Sequence, residues 1–322
     1  MKKKIKNVVF LFVAVLLFLF LIEVTLRFTG DLYLRKLYTH RHPDAKPKPS
    51  KINILCLGES STAGFGLQPR YSYPAQLHSL LRRQYPSRDI SVFVPPHVGQ
   101  NTSQMVNRME EYIQLFKPRL FIVMVGSNNE GSFAESHICR FLDSDKVIFL
   151  KFKASIWLSK FRLFKLTKYL FLKYIRQEHS EYIHGLEAMD YALGGPELVC
   201  EDENLKLVNF TDTMREALIK LWRYDVQEII SKAKGNNIDV ILMTYHINPC
   251  PYLSIEDFVS MAKQTQMPLL RNDLVFQRLI ENNTIGDYLL SDNWHPNEKG
   301  YALIASNVLE YLINNRVLER YN

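Results

Sequence analysis

From residue 52 onward, short apolar runs alternate with stretches whose apolar residues recur at helical spacing. Residues 52–57, 90–94, 120–125 and 238–245 are apolar runs of strand length. Between them, 73–85 sets Leu77, Leu80 and Leu81 on one helical face, and 103–116 repeats Met105, Met109, Tyr112, Ile113 and Phe116 at steps of three or four. The same spacing predicts helices near 214–234, 255–263, 274–282 and 297–315. Strands that alternate with helices of this length predict a mostly parallel sheet covered on both faces. Ligands of such sheets bind beyond the carboxyl ends of the strands.

The N-terminus follows a different pattern. Lys2, Lys3, Lys4 and Lys6 precede an unbroken apolar run over 8–22, and a mostly apolar face continues to Phe28. No A-x-A cleavage site follows, so the segment reads as an uncleaved signal-anchor over 1–30, with a cleaved signal peptide as the alternative. A helix from Ile5 to Phe28 is long enough to cross a bilayer. The lysines then stay cytoplasmic and the remaining chain faces outward, in the periplasm or outside the cell. Residues 31–50, with three prolines among many charges over 40–51, read as a linker, an extended tether in its proline-rich half. His40 and His42 read as part of that solvated tether, because no carboxylate or cysteine is grouped with them. One large domain is expected over 51–318.

Composition adds two constraints. The net charge is +7, yet residues 146–176 alone hold nine Lys and Arg and no acid, so the basicity is local. Cys56, Cys139, Cys200 and Cys250 form no C-x-x-C pair, which removes the usual zinc and redox readings. Cys56 reads as a buried apolar side chain. A disulfide among the other three stays open, as an oxidising compartment would permit one.

Four polar segments fall where a site should lie. They are Gly58-Glu59-Ser60-Ser61, Gly99-Gln100-Asn101-Thr102, Gly126-Ser127-Asn128-Asn129 and Asp292-Asn293-Trp294-His295. Taken alone, a Gly-x-Ser after a strand is an ordinary helix start and Gly-Ser-Asn-Asn an ordinary turn. A carboxylate three residues before an imidazole is more telling. It can accept the Nδ1 hydrogen and leave Nε2 free to take a proton from a hydroxyl.

In this order the four segments resemble the consensus blocks of the SGNH, or GDSL-type, hydrolases. The last, Asp292-Asn-Trp-His295-Pro with its following helix, carries the resemblance furthest. The resemblance implies a three-layer α/β/α sandwich with a mostly parallel five-stranded sheet, flavodoxin-like, behind the N-terminal transmembrane helix. It implies Ser60 as nucleophile, His295 as base and Asp292 as its orienting partner. Oxyanion donors would be the Ser60 and Gly99 N–H groups and the Asn128 amide. Ser61 is a minor rival nucleophile. Two positions depart from the family pattern, Glu59 for Asp in the first block and Asn129 for Asp in the third, and altered loop hydrogen bonding is expected from both. The second block also lacks the usual Asn before Gly99.

The expected function is an ester hydrolase acting on O-acyl groups of an envelope glycan or lipid through an acyl-enzyme. An O-acyltransferase with the same triad, or an inactive binding protein of the same fold, is the alternative. No metal or cofactor is called for, since the chain has no H-E-x-x-H, Walker or dinucleotide pattern. The stretch 131–213 is too long for a plain loop and is expected to form a helical insertion serving as a substrate lid. Within it, 155–177 mixes Trp157, Phe, Leu and Tyr with regular Lys and Arg. It reads as an interfacial helix on anionic lipid, a groove for an anionic glycan, or a cap with solvated cations. Glu178, His179, Glu181 and His184 read as a solvated face rather than a metal cluster. Nucleic acid is not an expected partner of an exported domain.

Overall fold

The computed structural model describes residues 2–41, 52–95, 99–130, 135–141, 161–174 and 212–321, with positions 150, 154, 157 and 158. Helix α1 spans Lys2–Arg41. Its segment Lys6–Gly30 is long and apolar enough to cross a membrane. The expected linker thus begins as helix, and residues 42–51, with His42, lie outside the described residues.

Among the described residues, five parallel strands form one sheet, in the order β2-β1-β3-β4-β5. They are β1 (Ile52–Gly58), β2 (Ile90–Phe93), β3 (Leu120–Met124), β4 (Asp239–Met243) and β5 (Leu269–Leu270). β1 and β3 are buried throughout, which is why they read as continuous apolar runs rather than alternating ones. The register aligns Ile54 with Val92 on one side and Leu120 on the other.

The helices between strands are α2 (Ser60–Ala63), α3 (Tyr73–Gln84), α4 (Thr102–Phe116), α5 (Arg162–Tyr174), α6 (Asp212–Gly235) and α7 (Ile255–Thr265), and α8 (Asp273–Glu281) and α9 (Glu298–Asn314) follow β5. The chain steps from β1 to β2 in one direction and from β2 through β3 to β4 in the other. With right-handed crossovers, α3 and the helices α4 and α6 must then cover opposite faces. α3 packs with α9, and α4 with α6. The reversal of strand order between β1 and β3 opens a crevice at their carboxyl ends. A two-residue β5 has no periodicity to reveal it in the sequence; the helices and the first four strands stand where their patterns put them.

Core residues from every layer meet around the sheet, among them Leu55, Phe121, Trp222, Ile241 and Ile304, all nearly or fully buried. Cys56 is buried and free, and Cys250 is free as well. No disulfide joins Cys56 or Cys250 among the described residues, and Cys200 lies outside them. Of the expected insertion, α5 and a short 3-10 turn at Ile138–Arg140 are described. The stretch carrying Glu178, His179, Glu181 and His184 lies outside the described residues, as does most of the proposed lid.

Candidate active site

The turn after β1 brings Ser60 to the head of the four-residue helix α2. Gly58 permits it: a Cβ there would meet Thr62 Oγ1 at 1.9 Å and the Met124 carbonyl at 2.7 Å. Gly64 then turns the chain at a φ of 83°, a conformation that favours glycine. As the first helical residue, Ser60 has a backbone N–H without an intrahelical acceptor. Ser61 is fully buried, away from solvent.

His295 reaches Ser60 from the other end of the chain. Its Nε2 lies 2.9 Å from Ser60 Oγ and its Nδ1 2.6 Å from Asp292 Oδ2. Asp292 Oδ1 accepts the backbone N–H groups of Trp294 and His295, both at 2.9 Å. The loop is clamped below by Leu290 N–H donating to the His295 carbonyl at 2.8 Å. Asn297 caps α9 by accepting from Lys299 and Gly300. Phe65 packs against the imidazole with ring centroids 4.6 Å apart. Slight burial pushes the Asp292 carboxyl up, but the hydrogen bonds from the imidazole and the two N–H groups outweigh it and hold it below its ordinary value. An ionised Asp292 favours hydrogen on Nδ1 and leaves the Nε2 lone pair facing the Ser60 hydroxyl.

The third block closes the crevice. Asn128 is half-buried in the turn after β3. Gly126 holds a φ of 132°, and a Cβ there would lie 2.7 Å from both Leu253 and Trp222. Gly99 lies at a φ of 81° in the adjacent loop after β2, just before the Asn101–Gln104 capping box that starts α4.

Both departures from the family pattern have buried partners. Glu59 Oε1 accepts from Gly126 N–H at 2.5 Å, and Oε2 from the Tyr245 hydroxyl at 2.5 Å. Burial pushes its carboxyl up to about 7, although these donors pull the other way. Asn129 Oδ1 accepts from Thr102 N–H at 2.8 Å. The Thr102 hydroxyl also lies 2.6 Å from Asp225 Oδ2, and Asp225 further binds Ser103 Oγ at 2.6 Å and His137 Nδ1 at 2.8 Å.

Three of these residues carried no signal in the sequence. Asp225 sits in α6, His137 in the insertion, and His246 just beyond β4. His246 Nε2 donates to the Trp294 carbonyl at 2.7 Å, which ties the Asp292–His295 loop to the sheet. Burial pushes the His246 imidazole down to about 4, against the pull of that carbonyl, so it is neutral. A pocket of about 500 Å³ adjoins Trp294, with Arg215, Asn248, Cys250 and Leu253 in its lining.

The sequence pattern of the GDSL-like lipases and acylhydrolases matches residues 54–308. An acetylxylan esterase of Xylanibacter ruminicola is 33% identical over 86 residues, which is 26% of this chain; the match spans 18% of that protein's length. Among solved structures, a psychrotrophic esterase from Pseudoalteromonas sp. is similar over 81% of this chain and 97% of its own, with a TM-score of 0.46 and 13% identity. An acetylxylan esterase from Geobacillus stearothermophilus, solved as a catalytic mutant, is similar over 83% of this chain and 94% of its own, with a TM-score of 0.44 and 15% identity.

Proposed function

We propose that this chain, which belongs to the GDSL-like lipase/acylhydrolase family and is a carboxylic ester hydrolase, removes O-acyl groups from an envelope glycan or lipid through Ser60, His295 and Asp292. Ser60 Oγ attacks the ester carbonyl while His295 Nε2 takes its proton, and Asp292 stabilises the imidazolium. The tetrahedral oxyanion is met by the Ser60 and Gly99 N–H groups and the Asn128 amide. Collapse expels the alcohol with the proton from His295 and leaves an acyl-serine. A water, deprotonated by the same His295, then releases the acid.

The observation that carries this reading is the 2.9 Å approach of His295 Nε2 to Ser60 Oγ, with Asp292 at 2.6 Å on the other ring nitrogen. The pocket beside Trp294, the residue before His295, would take the alcohol side of the ester. An N-terminal helix of spanning length supports a single-pass anchor with the catalytic domain outside the cytoplasm.

The test is hydrolysis of a nitrophenyl acetate, and labelling by a fluorophosphonate, for the full chain and for Ser60→Ala and His295→Ala. The expected result is labelling at Ser60 and loss of turnover in both variants by a factor of about 10⁴ or more. Turnover in Ser60→Ala comparable to the parent would overturn the assignment. Labelling without hydrolysis, together with acyl transfer to an added sugar, would replace hydrolysis by O-acyl transfer on the same serine.

A further inference from the structure

Glu23 stands inside an otherwise apolar stretch of α1, where an unpaired carboxylate would be costly. It is not unpaired. Oε1 accepts the Arg162 N–H at 3.1 Å and Oε2 the Leu163 N–H at 2.8 Å, while Arg27 Nε lies 2.7 Å from Oε1. Arg162 and Leu163 are the first two residues of α5, whose leading N–H groups have no acceptor in their own helix. The α1 carboxylate therefore caps α5, with the favourable sign for the positive end of a helix dipole.

The contact extends beyond the cap. Ile22, Glu23, Leu26 and Gly30, one stripe of α1, are partly covered while their neighbours are exposed. Gly30 brings the α1 backbone against the Arg162 guanidinium. On its other side α5 is tied to the catalytic domain, through Arg162 to Glu111 of α4 at 3.0 Å and through Lys165 to Glu135 at 3.4 Å.

Position along α1 sets the depth of this junction. The step from Lys6 to Glu23 rises about 26 Å, against a hydrocarbon core of about 30 Å. Glu23 thus lies at the outer edge of the core if Lys6 lies at the inner one. There α5 leaves α1; beyond Arg162 and Lys165, which pair with Glu111 and Glu135, its sequence adds Lys168 and Lys173 and no acid along its length. Trp157, 59% exposed, meets Phe161, the residue before α5, edge to face with ring centroids 5.0 Å apart. An exposed tryptophan beside cations at this depth fits the headgroup boundary.

Resting on the membrane-anchored reading above, we propose that α5 and Trp157 lie in the outer headgroup layer of an anionic bilayer, held there by the Glu23 cap. The catalytic domain is then seated on the membrane rather than suspended from a tether. Asn107 of α4 donates to the Glu135 carbonyl, so α5 runs from Glu111 toward the N-terminal end of α4, where the site lies. Seated in this way, the N-terminal end of α4 is held near the bilayer, which brings the proposed site within reach of esters close to the membrane.

The test uses the full chain in vesicles of phosphatidylcholine and phosphatidylglycerol, with and without acyl-chain-brominated lipid. Subtracting the emission of Trp157→Phe isolates Trp157. The expected result is strong quenching of the Trp157 component, lost in Glu23→Ala and partly kept in Glu23→Gln, which retains one acceptor oxygen. Hydrolysis of a soluble nitrophenyl ester should be unchanged in all three variants, which confirms that they fold. An unquenched Trp157 in a protein that resists alkaline carbonate extraction overturns the seat alone, and quenching unaffected by Glu23→Ala overturns the cap as its cause. Release of the protein by carbonate overturns the anchor reading and the seat together.

Discussion

The Glu59 carboxyl bridges the Gly126 N–H and the Tyr245 hydroxyl, each at 2.5 Å, and so joins the turn that carries Ser60 to the turn that carries Asn128. The longer glutamate, in place of the family's aspartate, reaches a tyrosine beyond β4. Tyr245 in turn accepts the Ser127 N–H at 3.2 Å, and Tyr252 donates to the Gly126 carbonyl. Glu59 is fully buried, and its carboxyl is raised from 4.5 to about 7. A raised carboxyl means that the folded state holds the proton more tightly than the unfolded one. Its contribution is complete below pH 4.5 and is lost as pH rises toward 7. Glu59→Gln, which can still accept from Gly126, should flatten this slope in denaturant midpoints measured over that window. Glu59→Ala should lose about 1–3 kcal/mol for each donor left unpaired.

His246 gives the opposite slope. Its imidazole is lowered from 6.5 to about 4, so the unfolded chain binds the extra proton first. The contribution of the neutral ring is complete above pH 6.5 and is lost as pH falls toward 4. Denaturant midpoints of His246→Gln, which can donate to the Trp294 carbonyl without titrating, should show less loss at low pH than the parent. His246→Ala should lower kcat about tenfold or more by freeing the loop that aims His295, on the scale by which small misplacements slow catalysis.

On the proposed mechanism, Asn128→Ala removes one donor to the developing oxyanion and leaves Ser60, His295 and Asp292 in place. The expected outcome is a fall in kcat of about 10²–10³ with little change in KM. A KM effect without a kcat effect in the nitrophenyl ester assay would show that Asn128 binds the ground state instead.

Asn129→Asp restores the family's residue, and here it should be harmful. Asn129 and Asp225 meet the same Thr102 hydroxyl, at 3.1 and 2.6 Å, and both are fully buried. A second carboxyl would compete for that donor and repel the first. A loss of about 1–3 kcal/mol in unfolding free energy at neutral pH is expected. An unchanged midpoint would show that Asp225 does not set the identity of residue 129.

Sequence alone determined the alternating α/β plan, the order of the four polar segments and the pairing of Asp292 with His295. These rest on local facts: a period of 3.6 in α4 and α9, a continuous apolar run where a strand is buried on both faces, and a spacing of three within one loop. Tertiary structure decided what lies between distant segments. Glu59 and Tyr245 are 186 residues apart, Thr102 and Asp225 are 123 apart, and Glu23 and Leu163 are 140 apart. No period or motif announces such pairs, because a buried carboxyl finds its donors only after the sheet order brings the strand ends together. The turn after β1 was legible because it sets Gly58 two residues before Ser60 at the end of an apolar run. The carboxyls, tyrosine and histidine that hold it were not, because their positions answer only to the packed crevice.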